Sequence, residues 1–140
     1  KAYFGQKDYQ QCAIIKKMVE HFNLKTELIC CPVIREKDGL AMSSRNLRLT
    51  PKERDFAPTI YQSLIGAKEL LGKSTIKEIK SWAESLLSKN DLVELEYFEI
   101  RNAEDLKPVK DVNEVNELAI LAALKVGKVR LIDNILVKPH

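Results

Sequence analysis

The sequence predicts an α+β fold in two parts, a β-α-β unit over residues 1–49 and a small helix-and-sheet unit over residues 50–140. Three observations carry that prediction. A strand-like Lys1–Phe4, a glycine and a helical repeat lead into a second apolar run, which suggests parallel strands. Two Thr-x-x-Glu pairs, Thr50/Glu53 and Thr75/Glu78, mark helix starts. Three strand-like runs then follow, the last two joined around Gly127 as an antiparallel pair.

In chain order, Gly5 is expected to make the turn after the first strand, and a helix begins near Asp8. Cys12, Ile15, Val19 and Phe22 recur at helical spacing with Ile14 and Met18 beside them, while Lys16, Lys17 and Glu20 point outward. Asn23 is the expected stop. Glu27–Ile34 reads as a buried strand that ends in an edge or bend at Pro32. Thr50-Pro51-Lys52-Glu53 combines an N-cap, a proline at the first helical position and a capping glutamate. That helix should reach about Leu71 with Phe56, Ile60, Leu64 and Leu71 inward, Pro58 either kinking it or fixing its first turn, and Gly72 ending it. From Thr75 a second helix buries Ile79, Trp82, Ala83, Leu86 and Leu87. Val93–Arg101 alternates as a strand until the pattern shifts at Phe98; Glu117–Leu124 is densely apolar, and Lys128–Val137 returns after the turn.

Composition narrows the function classes. Apolar residues are 45% and charged residues 31% of the 140, enough for a core. No apolar run approaches the ~20 residues that a membrane span needs. The first residues, Lys1-Ala2-Tyr3-Phe4, carry no Met and no signal-peptide pattern, and read as the start of a cut chain. Cys12, Cys30 and Cys31 are odd in number, with two of them adjacent, and no Cys/His metal spacing accompanies them; they read as reduced, partly buried thiols of a cytoplasmic protein. Residues 1–50 hold nine Lys/Arg against five Asp/Glu, whereas residues 51–140 hold fourteen against fifteen. A basic first third suits an anion such as ATP; the clustered basic stripe of a nucleic-acid binder is missing.

Two segments carry candidate chemistry. In Gly5–Gln11 a glycine permits close backbone approach, Lys7 can meet phosphate, and Asp8 and Gln11 can hold a small hydroxylated acid. The same residues also fit a plain helix start, with Asp8 as cap and Lys7 solvated. In Met42-Ser43-Ser44-Arg45-Asn46, two hydroxyls and a guanidinium can grip triphosphate oxygens, and Gly39 gives the loop a flexible turn on which it could close. A polar linker between domains would have a similar composition. Both segments follow predicted strands, the place where open α/β sheets bind ligands.

Three blocks resemble one family. Tyr3-Phe4-Gly5-Gln6-Lys7-Asp8-Tyr9-Gln10-Gln11, then Ile34-Arg35-Glu36-Lys37-Asp38-Gly39-Leu40-Ala41-Met42-Ser43-Ser44-Arg45-Asn46, and finally Ala119–Leu124 with Arg130-Leu131-Ile132-Asp133-Asn134, are similar to the pantothenate synthetase (pantoate–β-alanine ligase) family. The resemblance runs in order over essentially the whole chain and implies the C-terminal half of such an enzyme. The implied fold is the C-terminal part of a Rossmann-like nucleotidylyltransferase domain, then a lid of two helices on a three-stranded, largely antiparallel sheet. The implied reaction joins pantoate to β-alanine through a pantoyl adenylate, consuming ATP with Mg2+ and releasing pyrophosphate and AMP. Gly5, Gln6, Lys7, Asp8, Ile34, Met42, Ser43, Ser44 and Arg45 would bind ATP, Ile34 through its backbone, and Gln11 would bind pantoate. The resemblance also implies a homodimer for the full-length enzyme.

The sequence departs from the family in one respect. The family's His-x-Gly-His-type motif has no counterpart here: His21 sits on the first helix and His140 is the last residue, both reading as surface or terminal side chains. The 140 residues are therefore expected to be inactive alone, with no catalytic residue and no metal ligand of their own. An alternative of a different class is that residues 50–140 form an independently folding lid or interaction module without catalysis.

Overall fold

A computed structural model describes residues 1–139; His140, expected as a terminal surface residue, lies outside them. The chain opens with β1 (Ala2–Gly5), a 3-10 turn (Gln6–Asp8), α1 (Tyr9–His21) and β2 (Leu28–Cys31). β1 and β2 pair in parallel, Ala2 against Leu28 through Gly5 against Cys31, as the β-α-β pattern predicts. Gly5 makes no turn: it is the extended last residue of β1, with φ −79° and ψ 130°. β2 stops at Cys31, three residues short of expectation, because Pro32 has no N–H with which to continue the ladder.

α1 buries less than its periodicity promises. Cys12 and Ala13 are buried, whereas Ile14 and Phe22 are 66% and 65% exposed. A sheet of two strands is too narrow to cover the apolar sector of a helix lying on it. His21 is exposed at the helix end, its ring edge-on to Phe22 at 4.9 Å.

The helix predicted from Thr50 is two helices, α2 (Pro51–Phe56) and α3 (Thr59–Leu70). Pro58 breaks it, since its nitrogen cannot donate to the carbonyl of Arg54, although Ala57 and Pro58 keep right-handed helical angles and the axis merely kinks. Thr50 and Glu53 form the reciprocal capping box, as do Thr75 and Glu78 at the start of α4 (Ile76–Leu87). Gly72 ends the α3 segment at φ +75°. Ile79, Ala83 and Leu87 are buried, while Trp82 is 38% exposed and lies over Gly66 of α3, where a β carbon would strike its ring.

β3 (Val93–Asn102), β4 (Leu118–Val126) and β5 (Val129–Val137) form an antiparallel sheet in that order. The pattern shift foreseen near Phe98 is a bulge between Leu95 and Tyr97. Its extra residue resets the two-residue phase, so Val93, Leu95, Phe98 and Ile100 all join the core under α3 and α4, and Tyr97 joins the opposite face. On that second face Tyr9 packs with Ala103, Ala119 and Leu121. Both faces of β4 are therefore covered, which explains why Leu118–Leu124 is buried without interruption and reads as continuous rather than alternating.

No helix among the described residues is long and apolar enough to cross a membrane. The α1 segment is tied to the second face by the Tyr9 hydroxyl, which donates to the Ala103 carbonyl at 2.7 Å. Burial, with Glu117 and the nearby thiols, pushes that phenol up to about 12, so it stays protonated and donating. Tyr9→Phe should lower unfolding stability by about 1 kcal/mol, read as a shifted urea midpoint with unchanged slope.

Candidate functional site

Two 3-10 turns, Gln6–Asp8 after β1 and Ser44–Arg48 after the 35–42 hairpin, both pack against β5. Successive β5 residues hold them. Asn134 points toward the first turn, its Nδ2 donating to the carbonyls of Gln6 at 2.9 Å and Lys7 at 3.0 Å. The Gln6 amide donates in return to Asn134 Oδ1 at 3.3 Å. Asp133 leaves the opposite face of the strand and takes the Arg35 guanidinium in a two-point pair at 2.6 and 2.9 Å.

Arg35 is committed to structure through both of its terminal nitrogens. Beyond Asp133 it donates to the carbonyls of Gly39 at 3.0 Å and Asn134 at 3.2 Å, and its plane lies 3.9 Å from the centre of the Tyr61 ring. It thus pins a short hairpin in which Arg35 bridges Ala41 and Met42 N–H donates to the Ile34 carbonyl at 2.9 Å. The turn at its tip needs Gly39, which has φ +93° and whose β carbon would collide with the Tyr61 ring. Arg54 holds the same tip through Asp38 at 2.6 Å, and that ion pair keeps the exposed Asp38 carboxyl below its usual range. The flexible turn expected at Gly39 is therefore a braced one.

Past the hairpin, Asn46 Nδ2 donates to the Ala41 carbonyl at 3.0 Å and Ser43 Oγ accepts from the Arg45 N–H at 3.2 Å. These bonds curl the Ser43–Asn46 stretch and leave the Ser44 and Arg45 side chains exposed. Ile34 and Met42 are likewise exposed, 71% and 50%. On the first turn Asp8 occupies the cap position of α1, yet its side chain accepts no capping hydrogen bond, so the plain helix-cap reading does not hold. Gly5 has open space where a β carbon would stand, and neither packing nor backbone angle calls for glycine there. Gln11 lies exposed in the first turn of α1, beside a cavity of about 190 Å3 that it lines with Lys7, Asp8, Tyr97, Arg130 and Asp133.

Lys7 and Arg45, 38 positions apart in sequence, come close enough to feel each other. Burial lowers the Lys7 pKa and the Arg45 charge adds to it, against a partial rise from Asp8 and Asp133. Among the described residues neither cation has an ion-pair partner within 4.0 Å. Lys7 is half-buried and Arg45 exposed, and an anion bound near both would relieve the repulsion between them. Asp133 shifts the other way: burial raises its carboxyl, and Arg35, the Asn134 N–H and Lys7 only partly pull it back.

The sequence singled out the two turns but assigned no role to Arg35, Asp133, Asn134 or Asn46. Asp133 and Asn134 are buried polar residues of a mostly apolar strand, but their partners lie about 100 or more positions away, so no local pattern announced them. One contact had no sequence signal: Cys30 Sγ lies 3.4 Å from Cys12 Sγ, which itself lies 3.4 Å from the Gly5 carbonyl.

The turns that carry Lys7 and Arg45 thus rest on one strand, β5, of an α+β fold. The family described as Pantoate-beta-alanine ligase matches residues 1–136. The pantothenate synthetase of Acetivibrio thermocellus is 42% identical over 140 residues, covering 99% of this chain and 49% of that protein. That of Thermotoga neapolitana is 45% identical over 139 residues, covering 98% and 49%. The solved pantothenate synthetase of Thermus thermophilus matches with a TM-score of 0.87 at 36% identity, over 96% of this chain and 48% of that one. The pantoate–β-alanine ligase of Francisella tularensis, solved with beta-gamma ATP and β-alanine, matches at 0.62 and 32% identity, over 99% and 44%. The chain belongs to the pantoate–β-alanine ligase family. It spans about half the length of the curated relatives it matches.

Asp133→Asn should cost about 3 kcal/mol in urea unfolding, because it leaves Arg35 buried against a neutral partner. Iodoacetamide at pH 8 should label Cys30 well before Cys12, by peptide mass mapping; Cys30 is exposed, whereas burial and the Cys30 contact push the Cys12 thiol up to about 12.

Proposed function

We propose that the protein containing this chain condenses pantoate with β-alanine, and that these 140 residues supply one wall of its active site. In this reading the pantoate carboxylate attacks the α-phosphorus of ATP and pyrophosphate leaves. The amine of β-alanine then attacks the acyl carbon of pantoyl adenylate, and AMP departs as pantothenate forms. The observation that carries the reading is that the Lys7 turn and the Arg45 turn both pack on β5, which brings two cations without ion-pair partners among the described residues to the same strand. The open space over Gly5 supports close approach of the nucleotide to the backbone. Family membership supports the substrates, and the Francisella relative is described with an ATP species and β-alanine.

The roles follow from position. Lys7, Ser43, Ser44 and Arg45 hold the triphosphate, with Gly5, Gln6, Asp8 and Met42 completing the nucleotide contacts and the Ile34 backbone meeting the adenine side. Gln11, at the mouth of the small cavity, holds pantoate. Mg2+ shields phosphate charge when bound. In this reading the ion arrives with the nucleotide, held by its phosphate oxygens.

Residues 1–49 belong, in this reading, to the nucleotide-binding domain and 50–140 to a lid. The separate two-stranded and three-stranded sheets support that division. The chain corresponds to the C-terminal half of a cytoplasmic homodimeric enzyme, and alone it lacks the histidines that stabilise the adenylating transition state. A second reading takes residues 50–140 as a lid or interaction module without catalysis; the core that α3 and α4 form with β3–β5 supports it, with Leu40 of the first unit also entering that core.

AMP formation from ATP, pantoate and β-alanine decides between them. The full-length protein should turn over and the 140 residues should not; robust turnover by the 140 residues would overturn the half-site reading. In the full-length protein, Lys7→Ala should slow the pre-steady-state burst of pyrophosphate about 100-fold and Ser44→Ala about 10-fold. Unchanged bursts would remove those assignments.

A further inference from the structure

We propose that Asn134 is a positioning residue that aims Lys7 toward the nucleotide phosphates from beneath, without touching the nucleotide. The inference rests on the ligase reading for its chemistry but on this chain's own geometry for its mechanism. Asn134 is 2% exposed, so it cannot itself face a nucleotide. Its amide is used up on the first turn: both Nδ2 protons go to the Gln6 and Lys7 carbonyls, and Oδ1 takes the Gln6 side-chain N–H. Two adjacent carbonyls fixed by one planar amide leave the Gln6–Asp8 backbone a single orientation. The direction of the Lys7 Cα–Cβ bond is set with it.

The position of Asn134 matters as much as its chemistry. It follows Asp133, whose carboxylate fixes Arg35 and the hairpin leading to Ser43–Arg45. Asp133 Oδ1 also accepts the Asn134 backbone N–H at 2.8 Å, which fixes the Asp133 carboxylate to the backbone that carries Asn134. One rigid dipeptide therefore sets the spacing between the Lys7 turn and the Arg45 turn. An amide is required at this position. An aspartate of the same shape would set carboxylate oxygen against two carbonyl oxygens and repel the turn.

The test is a double-mutant cycle in the full-length protein, with wild type, Asn134→Asp, Lys7→Ala and the double variant. Pre-steady-state pyrophosphate release and the KM values for ATP and β-alanine are read, alongside thermal melting. Asn134→Asp is expected to slow adenylation about 10- to 100-fold and raise the ATP KM while leaving the β-alanine KM unchanged. In the Lys7→Ala background the same substitution should add almost nothing. A wild-type rate in Asn134→Asp, or a loss of equal size with and without Lys7, overturns the proposal, since a merely structural defect would persist in both backgrounds. If Asn134→Asp does not fold, Asn134→Ser removes the donors without adding charge and enters the same cycle. A wild-type protein that makes no AMP from the three substrates would defeat the ligase reading instead. The cycle is then read as affinity for inorganic pyrophosphate by calorimetry, where the same non-additivity is expected and additive losses overturn the positioning role.

Discussion

A β-strand sends consecutive side chains to opposite faces, and the cleft depends on that alternation at Asp133 and Asn134. One residue reaches through the helix side of the sheet to Arg35, the other through the second side to the Gln6–Asp8 turn. The two cationic turns never bond to each other directly in this arrangement. Each is referenced to the same step of backbone, about 3.4 Å long, so their separation is as rigid as the strand between them.

Such a pin is costly to bury and is not explained by stability. The desolvation penalty of an ion pair as hidden as Arg35–Asp133 can match or exceed its attraction, and the upward shift of the Asp133 carboxyl expresses that penalty. What the pair does supply is direction. A two-point guanidinium–carboxylate contact, two further carbonyl acceptors and an aromatic face below leave Arg35 one pose. Tyr61 must then lie flat beneath it, and the Gly39 turn must pass close over the same ring, which excludes any β carbon at that position. The constraint thus runs from a charge inside the sheet to the identity of a loop glycine.

Much of the fold was legible because local signals agreed. Both capping boxes formed where Thr50 and Thr75 announced them, and the break in alternation before Phe98 was a real bulge. The misreadings have physical causes. Pro58 divided a helix whose apolar spacing continues across it, since periodicity is blind to a missing N–H. Ile14 and Phe22 stayed exposed because periodicity tells which residues share a face and not how much sheet lies opposite. At the cleft, Lys7, Ser44 and Arg45 were visible as donors in loops after strands. Arg35, Asp133 and Asn134 were not, because their roles arise from contacts about 100 or more residues apart that no local pattern encodes.

The strand order gives the hub a second consequence. β5 is an edge strand of the three-stranded sheet, and an open edge of that kind can template pairing with another chain. Here the edge is occupied: both 3-10 turns rest on β5, and Arg35 takes the Asn134 carbonyl. The contacts that shape the cleft also keep this edge from recruiting foreign strands. Substitutions that loosen the two turns should therefore travel with poor solubility.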